Sequence, residues 1–142
     1  MLPLSPEFEG STAAKILPIR TADDIVLLRA AVRTAALEAG LGLVELTKLV
    51  TASVEIGRNT LTYGREGEVA IDTIYEKPSG VRLTFSDRGP GIEDVHLAMK
   101  DGFTTSGAMG LGLGGTSRLV DEFHIVSAPD EGTTVTIAKW KR

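Results

Sequence analysis

At 142 residues the chain has room for one domain, large enough to bury roughly 70% of its unfolded surface without staples, and with no cysteine it can hold no disulfide framework. No apolar run approaches the roughly 20 residues of a membrane span and no signal-type segment opens the chain, so a soluble cytoplasmic domain with no membrane partner is expected. Fifteen basic against 19 acidic residues give a net charge of −4, which argues against nucleic acid as the main partner.

Residues 1–13, with Pro3, Pro6, Gly10 and Ser11, read as a flexible tail, which leaves residues 14–142 for a single domain. A short strand is predicted over Lys15 to Ile19. Thr21 with Asp24 three residues on resembles a capping box, and Ile25, Leu28, Ala31, Val32 and Ala35 then recur at helical spacing up to Gly40. A second helix is predicted from about Val44 to Tyr63, stopping at Gly64 as a C′ residue. Its stripe of Leu46, Leu49, Val50, Val54, Gly57 and Leu61 puts Glu55 nearly opposite the stripe's centre.

Alternation through Val69, Ile71, Thr73 and Tyr75, a turn at Lys77 to Gly80, and alternation through Val81, Leu83 and Phe85 predict a hairpin that delivers Asp87 at a strand's end. A helix from Thr116 to Phe123 follows a glycine run. Phe123, Ile125 and Ser127 alternate, Ala128 to Gly132 turns, and Thr133 to Trp140 forms a last β-branched strand. Hairpins in place of regular βαβ crossovers predict an α/β two-layer sandwich, a mixed but mainly antiparallel sheet with helices on one face.

Two glycine loops carry the chemistry. The first is Asp87-Arg88-Gly89-Pro90-Gly91, in which a carboxylate at a strand end can accept a hydrogen bond from a ligand amine, such as adenine's, beside glycines that clear space. By itself it also suits a plain turn. The second, Gly110-Leu111-Gly112-Leu113-Gly114-Gly115, opens into a helix whose N–H groups favour a phosphate. Glu55 and Asn59, four residues apart on one helix, supply oxygen ligands of the kind Mg²⁺ prefers, although a Glu and an Asn on a polar helix face also suit simple solvation. The small Thr51 and Ala52 flanking Glu55 leave room there for something to lie across this face. Together these elements suggest a magnesium-nucleotide site.

Three familiar alternatives fail on context. Gly110, Gly112 and Gly115, with Asp130 about 20 residues on, match the dinucleotide fingerprint in spacing, but the stretch before them, Asp101 to Met109, is glycine- and hydroxyl-rich and no buried strand. Gly114-Gly115-Thr116 lacks the lysine of a P-loop. The strand lysine and catalytic-loop Asp of the common protein-kinase signature are missing as well.

Glu55-(x)₃-Asn59-(x)₃-Tyr63, Asp87-x-Gly89-x-Gly91, Gly110-x-Gly112-x-Gly114 and Gly132-Thr133-Thr134, in that order, resemble the motifs of the GHKL ATPase superfamily with its Bergerat fold. The resemblance covers about residues 15 to 140. In its wording around Glu55 to Asn59 and Gly110 to Gly115 the chain is most similar to the RsbT-type anti-sigma-factor-like serine/threonine kinases.

That resemblance implies ATP and Mg²⁺ as cofactors, with Asn59 as metal ligand and Glu55 as the base that activates or orients the nucleophile. It implies Asp87 as adenine's acceptor, Thr133 as a water-mediated adenine contact, and Gly89 and Gly91 as the shapers of its pocket. Gly110, Leu111, Gly112, Leu113 and Gly114 would admit the triphosphate, with Glu93 to Met109 as a lid hinged at Gly102 and Gly107. The implied activity is transfer of the γ-phosphoryl group to a STAS-domain partner in a stress-response partner-switching module. A PP2C-type phosphatase or a sigma factor would be a further partner. The competing reading is a non-catalytic ATP-dependent switch that sequesters a sigma factor or activates a phosphatase. His96, in the implied lid, and His124, alternating away from the core, are expected to have no direct chemical role.

Overall fold

The structure is a computed structural model and describes residues 14–92, 99 and 113–142. The tail at 1–13 and most of the implied lid therefore lie outside the described residues. Eight elements follow in chain order: β1 (Lys15–Ile19), α1 (Ala22–Glu38), α2 (Leu43–Tyr63), β2 (Gly67–Ile74), β3 (Gly80–Asp87), α3 (Leu113–Ser117), β4 (Glu122–Ser127) and β5 (Thr133–Trp140).

The local signals that start α1 act as the sequence predicts. Thr21 is the N-cap, its Oγ1 accepting from Asp24 N at 3.2 Å, while Asp24 Oδ2 accepts from Thr21 N at 3.0 Å and Arg20 N at 2.8 Å. Three N–H donors at the helix start thereby gain side-chain acceptors, and the carboxylate sits at the positive end of the helix dipole. Those hydrogen bonds to the ionised form hold the Asp24 carboxyl below its ordinary value.

The five strands form one sheet of order β1-β2-β3-β5-β4, and every described pairing is antiparallel. The expected two-layer sandwich is present, without the parallel pair that a mixed sheet would include. Register puts the odd-numbered residues of all five strands on one face: Leu17 pairs with Val69, Val69 with Phe85, Phe85 with Val135, and Val135 with Ile125. That row packs with Ile25, Leu28 and Val32 of α1 and Leu49, Val54 and Ile56 of α2 in one core. Leu28, Leu49, Leu83 and Ile137 are fully buried, each side chain contributing roughly 1.5–3 kcal/mol.

Three expectations need correction. The helix predicted over Thr116 to Phe123 is the five-residue α3, which begins at Leu113 and ends at Ser117, and β4 starts at Glu122. Leu119, Val120 and Phe123 pack against the core from a turn and a strand, so their spacing imitates a helix without being one. The apolar face of α2 is wider than the predicted stripe, because Ala52, Ser53, Ile56 and Thr60 are buried too. Ala52 is thus a core residue, and of the two small flanks of Glu55 only Thr51 is exposed; the burial of Ser53 and Thr60 is tolerated because their hydroxyls donate to Val50 O and Ile56 O at 2.8 and 3.0 Å. Lastly, Gly64 caps α2 with φ −92° and ψ −178°, an extended conformation and not the left-handed one of a C′ glycine.

Candidate functional site

The next odd-numbered row, one step beyond the apolar row Phe85–Val135–Ile125, is Asp87–Thr133–Ser127. The sheet's helix-covered face thus changes from hydrocarbon to polar groups at the end where α2 terminates. A cavity of about 390 Å³ opens there. It is lined by Ile56, Asn59, Thr60, Thr62, Tyr63, Gly64 and Arg65 from α2 and just after it, by Pro90, Gly91, Ile92 and Leu113, by Ile125 and Val135 of the sheet, and by Asp87 and Thr133 at the sheet's polar end. Apolar walls with a few convergent polar groups are what a small-molecule site ordinarily offers.

Asp87 is fixed from two sides. Its Oδ1 accepts the backbone N–H of Gly89 at 2.7 Å, and the nearby backbone N–H of Thr133 also favours the ionised carboxyl. Burial is nevertheless the largest influence and pushes the Asp87 carboxyl above its ordinary value. The chain can pass this close only because position 64 lacks a side chain: a Cβ on Gly64 would lie 2.5 Å from Asp87 Cγ.

The loop after Asp87 is strapped to its surroundings. Arg88 N donates to Arg65 O at 2.7 Å, Asp130 N to Pro90 O at 2.7 Å, and Ile92 N to Ser127 Oγ at 2.8 Å. Gly91 has φ +78°, and a Cβ there would overlap the carbonyl oxygen of Ala128, so only glycine fits where the loop turns against the β4–β5 connection. The Arg88–Glu66 ion pair, 3.7 Å apart with both side chains well exposed, adds little to this.

The structure brings Asn59, Asp87, Gly91, Leu113 and Thr133 together around one cavity. Gly89 is buried behind them, where a Cβ would lie 2.8 Å from Gly64 Cα, and Gly114 is buried beside Leu113 in α3. Glu55 stands one turn before Asn59, half-buried and outside the cavity's lining. Gly110, Leu111 and Gly112 lie outside the described residues, as do Gly102, Gly107 and His96; of the implied lid only Met99 is described, packed against Ile92 and Leu113. His124 is exposed on β4, facing away from the core. Arg65, Thr62 and Ile92 line the cavity without belonging to any motif, and Ser127, whose Oγ lies 2.7 Å from Thr133 Oγ1, is signalled in the sequence only by its alternation with Phe123 and Ile125.

The donor set suits a metal that arrives with a nucleotide. Mg²⁺ is ordinarily held by one or two protein oxygens with phosphate oxygens and water completing the shell, and the Asn59 side chain offers one hard oxygen at the cavity wall. Among the described residues no group of three or more His, Asp or Glu forms a self-sufficient cation cage. No helix among them is long and apolar enough to cross a membrane.

Comparison with known proteins agrees with this geometry. Residues 19–139 match the family described as histidine kinase-like ATPase domain. The serine/threonine-protein kinase RsbT of Bacillus subtilis is 40% identical over 125 residues, which cover 87% of this chain and 94% of that protein. An anti-sigma F factor of Thermoanaerobacter is 34% identical over 101 residues, covering 68% of this chain and 71% of the relative. Among solved structures, the mycobacterial sensor histidine kinase MprB shares the fold with a TM-score of 0.52 at 23% identity, over 68% of this chain and 72% of that one. The histidine kinase domain of a blue-light-activated kinase from Erythrobacter litoralis does so with 0.51 at 18%, over 90% and 68%.

Proposed function

The chain belongs to the histidine kinase-like ATPase family, the GHKL group, and from that membership we propose that it is an ATP-dependent protein serine/threonine kinase. Its acceptor is a STAS-domain antagonist protein in a partner-switching module of the stress response, acting in the cytoplasm, with a PP2C-type phosphatase or a sigma factor as further partner. Residues 14–142 act as one kinase domain behind a tail at 1–13. The observation that carries this reading is the 40% identity with a serine/threonine kinase over nearly the whole of both chains. The cavity bounded by Asn59, Asp87 and Thr133 supports it.

In this reading Asp87 accepts from adenine's exocyclic amine, Thr133 contacts the base directly or through water, and Gly89 and Gly91 shape the base pocket. Gly110, Leu111, Gly112, Leu113 and Gly114 pass the triphosphate. Asn59 would hold Mg²⁺, which would supply positive charge to the phosphates when bound. The acceptor's hydroxyl oxygen forms a bond to the γ-phosphorus as the bond to the β–γ bridging oxygen breaks, ADP leaves, and the hydroxyl proton passes to the Glu55 carboxylate. Glu55 lies half-buried outside the cavity's lining, and in this reading it meets a hydroxyl brought by a docked protein.

The test is a single-turnover assay with γ-labelled ATP and proteins that co-purify with the chain, followed by mapping of the phosphorylated residue. Glu55→Gln is expected to lower transfer by roughly 10²–10⁴-fold with little change in ATP affinity. Transfer retained within about threefold removes Glu55 from the role of base. No transfer by the unmutated chain, despite tight ATP and partner binding, selects the non-catalytic switch.

A further inference from the structure

Ser127 belongs to no nucleotide-binding motif, yet its hydroxyl is a junction. Ile92 N donates to Ser127 Oγ at 2.8 Å, Gly132 O lies 3.0 Å away as an acceptor, and Thr133 Oγ1 lies at 2.7 Å and can be either donor or acceptor. A hydroxyl has one proton and two lone pairs, so these three neighbours can be satisfied in only a few ways. Suppose the Ser127 proton goes to Gly132 O. Its two lone pairs then take the Ile92 N–H and the Thr133 O–H, and three hydrogen bonds form. Suppose instead that it goes to Thr133 Oγ1. Gly132 O then loses this donor, one Ser127 lone pair stands idle, and only two bonds form. The first arrangement is favoured, because a half-buried acceptor left without its partner is disfavoured.

The consequence falls on Thr133. With its proton committed to Ser127, its oxygen can offer only lone pairs to the cavity. Asp87, its register partner on β3, offers acceptor oxygens beside it, and directly opposed residues on neighbouring strands are within reach of one small ligand group. Two adjacent acceptors match the two N–H bonds of an exocyclic amine and oppose a carbonyl oxygen at the same place. We propose that Ser127 is a positioning residue for base selection: it fixes the Thr133 hydroxyl as an acceptor, so that the cavity admits an amino-purine edge and rejects an oxo-purine one. Through Ile92 it also holds the loop from Gly89 to Ile92 at the distance this pairing needs. The inference rests on the reading of the cavity as an adenine-nucleotide site.

The experiment measures Mg-ATP and Mg-GTP affinity by calorimetry on the full chain. Ser127→Ala frees the Thr133 proton to point at a carbonyl, so the preference for ATP over GTP should fall by about tenfold. Ser127→Thr, which keeps the hydroxyl, should retain the preference. In a Thr133→Val background Ser127→Ala should change the ratio no further, since the group it orients is gone. A simple brace would behave differently, weakening both nucleotides alike in either background, and that result overturns the proposal. If Ser127→Ala does not fold, Ser127→Cys, with its weak donor and acceptor, is read by the same ratio. An unmutated chain that prefers ATP, with a ratio untouched by these variants, refutes the role of Ser127 alone. An unmutated chain that binds neither nucleotide refutes the adenine-site reading together with it.

Discussion

Thr133 and Lys139 stand on the same face of β5, at opposite ends of one strand, and the polar groups around them are organised in opposite ways. Lys139 is 3% exposed, yet its Nζ lies 2.9 Å from Glu45 Oε2 of α2 and 3.6 Å from Asp121 Oδ1, while Arg142 reaches both acids from outside. That cluster is closed: cations and carboxylates answer one another, and they pin the start of α2 and the approach to β4 onto β5. At the other end, Asp87 is half-buried with no cation among the described residues paired to it, and partial desolvation disfavours its ionised form against the pull of two backbone N–H groups. Buried polarity held in ion pairs fastens the fold. Half-buried polarity whose charge is disfavoured, beside a cavity, is the pattern expected where a ligand supplies a partner.

The first way to break this contrast is to open the closed end. Lys139→Met leaves Glu45 and Asp121 without their central cation, and the thermal midpoint should drop by roughly 10 °C. The site lies a sheet's length away, so nucleotide affinity at a temperature where the variant is folded should be unchanged; calorimetry and thermal unfolding on one preparation check both.

A smaller effect is expected at the open end. Asn59→Ala removes one metal ligand from the cavity wall without touching the core, so Mg-ATP affinity should fall by about tenfold or more while the midpoint moves little. Unchanged affinity with magnesium present would take Asn59 out of the site.

The smallest effect is in the pH dependence, where the two ends should pull in opposite directions. Glu45 is held below its ordinary value, first by the hydrogen bond from Lys139, so its stabilising contribution is present above its unfolded value of 4.5 and is lost as pH falls through the folded one. Asp87 is shifted upward, so its favourable contribution is fully present below its unfolded value of 3.8 and is lost as pH rises through the folded one. Acid should therefore loosen the Lys139 end while relieving the Asp87 end. Hydrogen exchange from below the ordinary carboxylate values up to neutrality, followed separately at the two ends of β5, would resolve the two trends.

What the sequence disclosed follows the same division. The capping box at Thr21 and Asp24 and the alternation of Thr133 to Trp140 are local signals, and both elements fall where they point. Leu119, Val120 and Phe123 misled because burial arises there from a turn meeting a strand, which no single periodicity describes. The wider buried face of α2 was hidden for a related reason: Ser53 and Thr60 look like surface residues until their hydroxyls are seen bonded back to their own helix. Asp87 was legible as a carboxylate between a strand and glycines. Its confinement was not, because Gly64, Gly89 and Thr133 come together only when three separate segments meet. Ser127 was invisible as a junction, since its three partners are a backbone N–H, a backbone carbonyl and a neighbouring hydroxyl.

The central claim is that Asp87 is kept half-buried, with its charge uncompensated, beside the cavity for the sake of a ligand. Asp87→Asn tests it in one pair of measurements, because the amide still accepts the Gly89 N–H but carries no charge to desolvate. At pH 7.5 and without nucleotide, the variant should melt no lower than the unmutated chain, and somewhat higher if the buried charge is the main difference. Its affinity for ATP should meanwhile fall by about tenfold or more, and its affinity for GTP by less. A variant that melts well below the unmutated chain yet binds ATP equally tightly would show that Asp87 serves the fold, and would contradict the account.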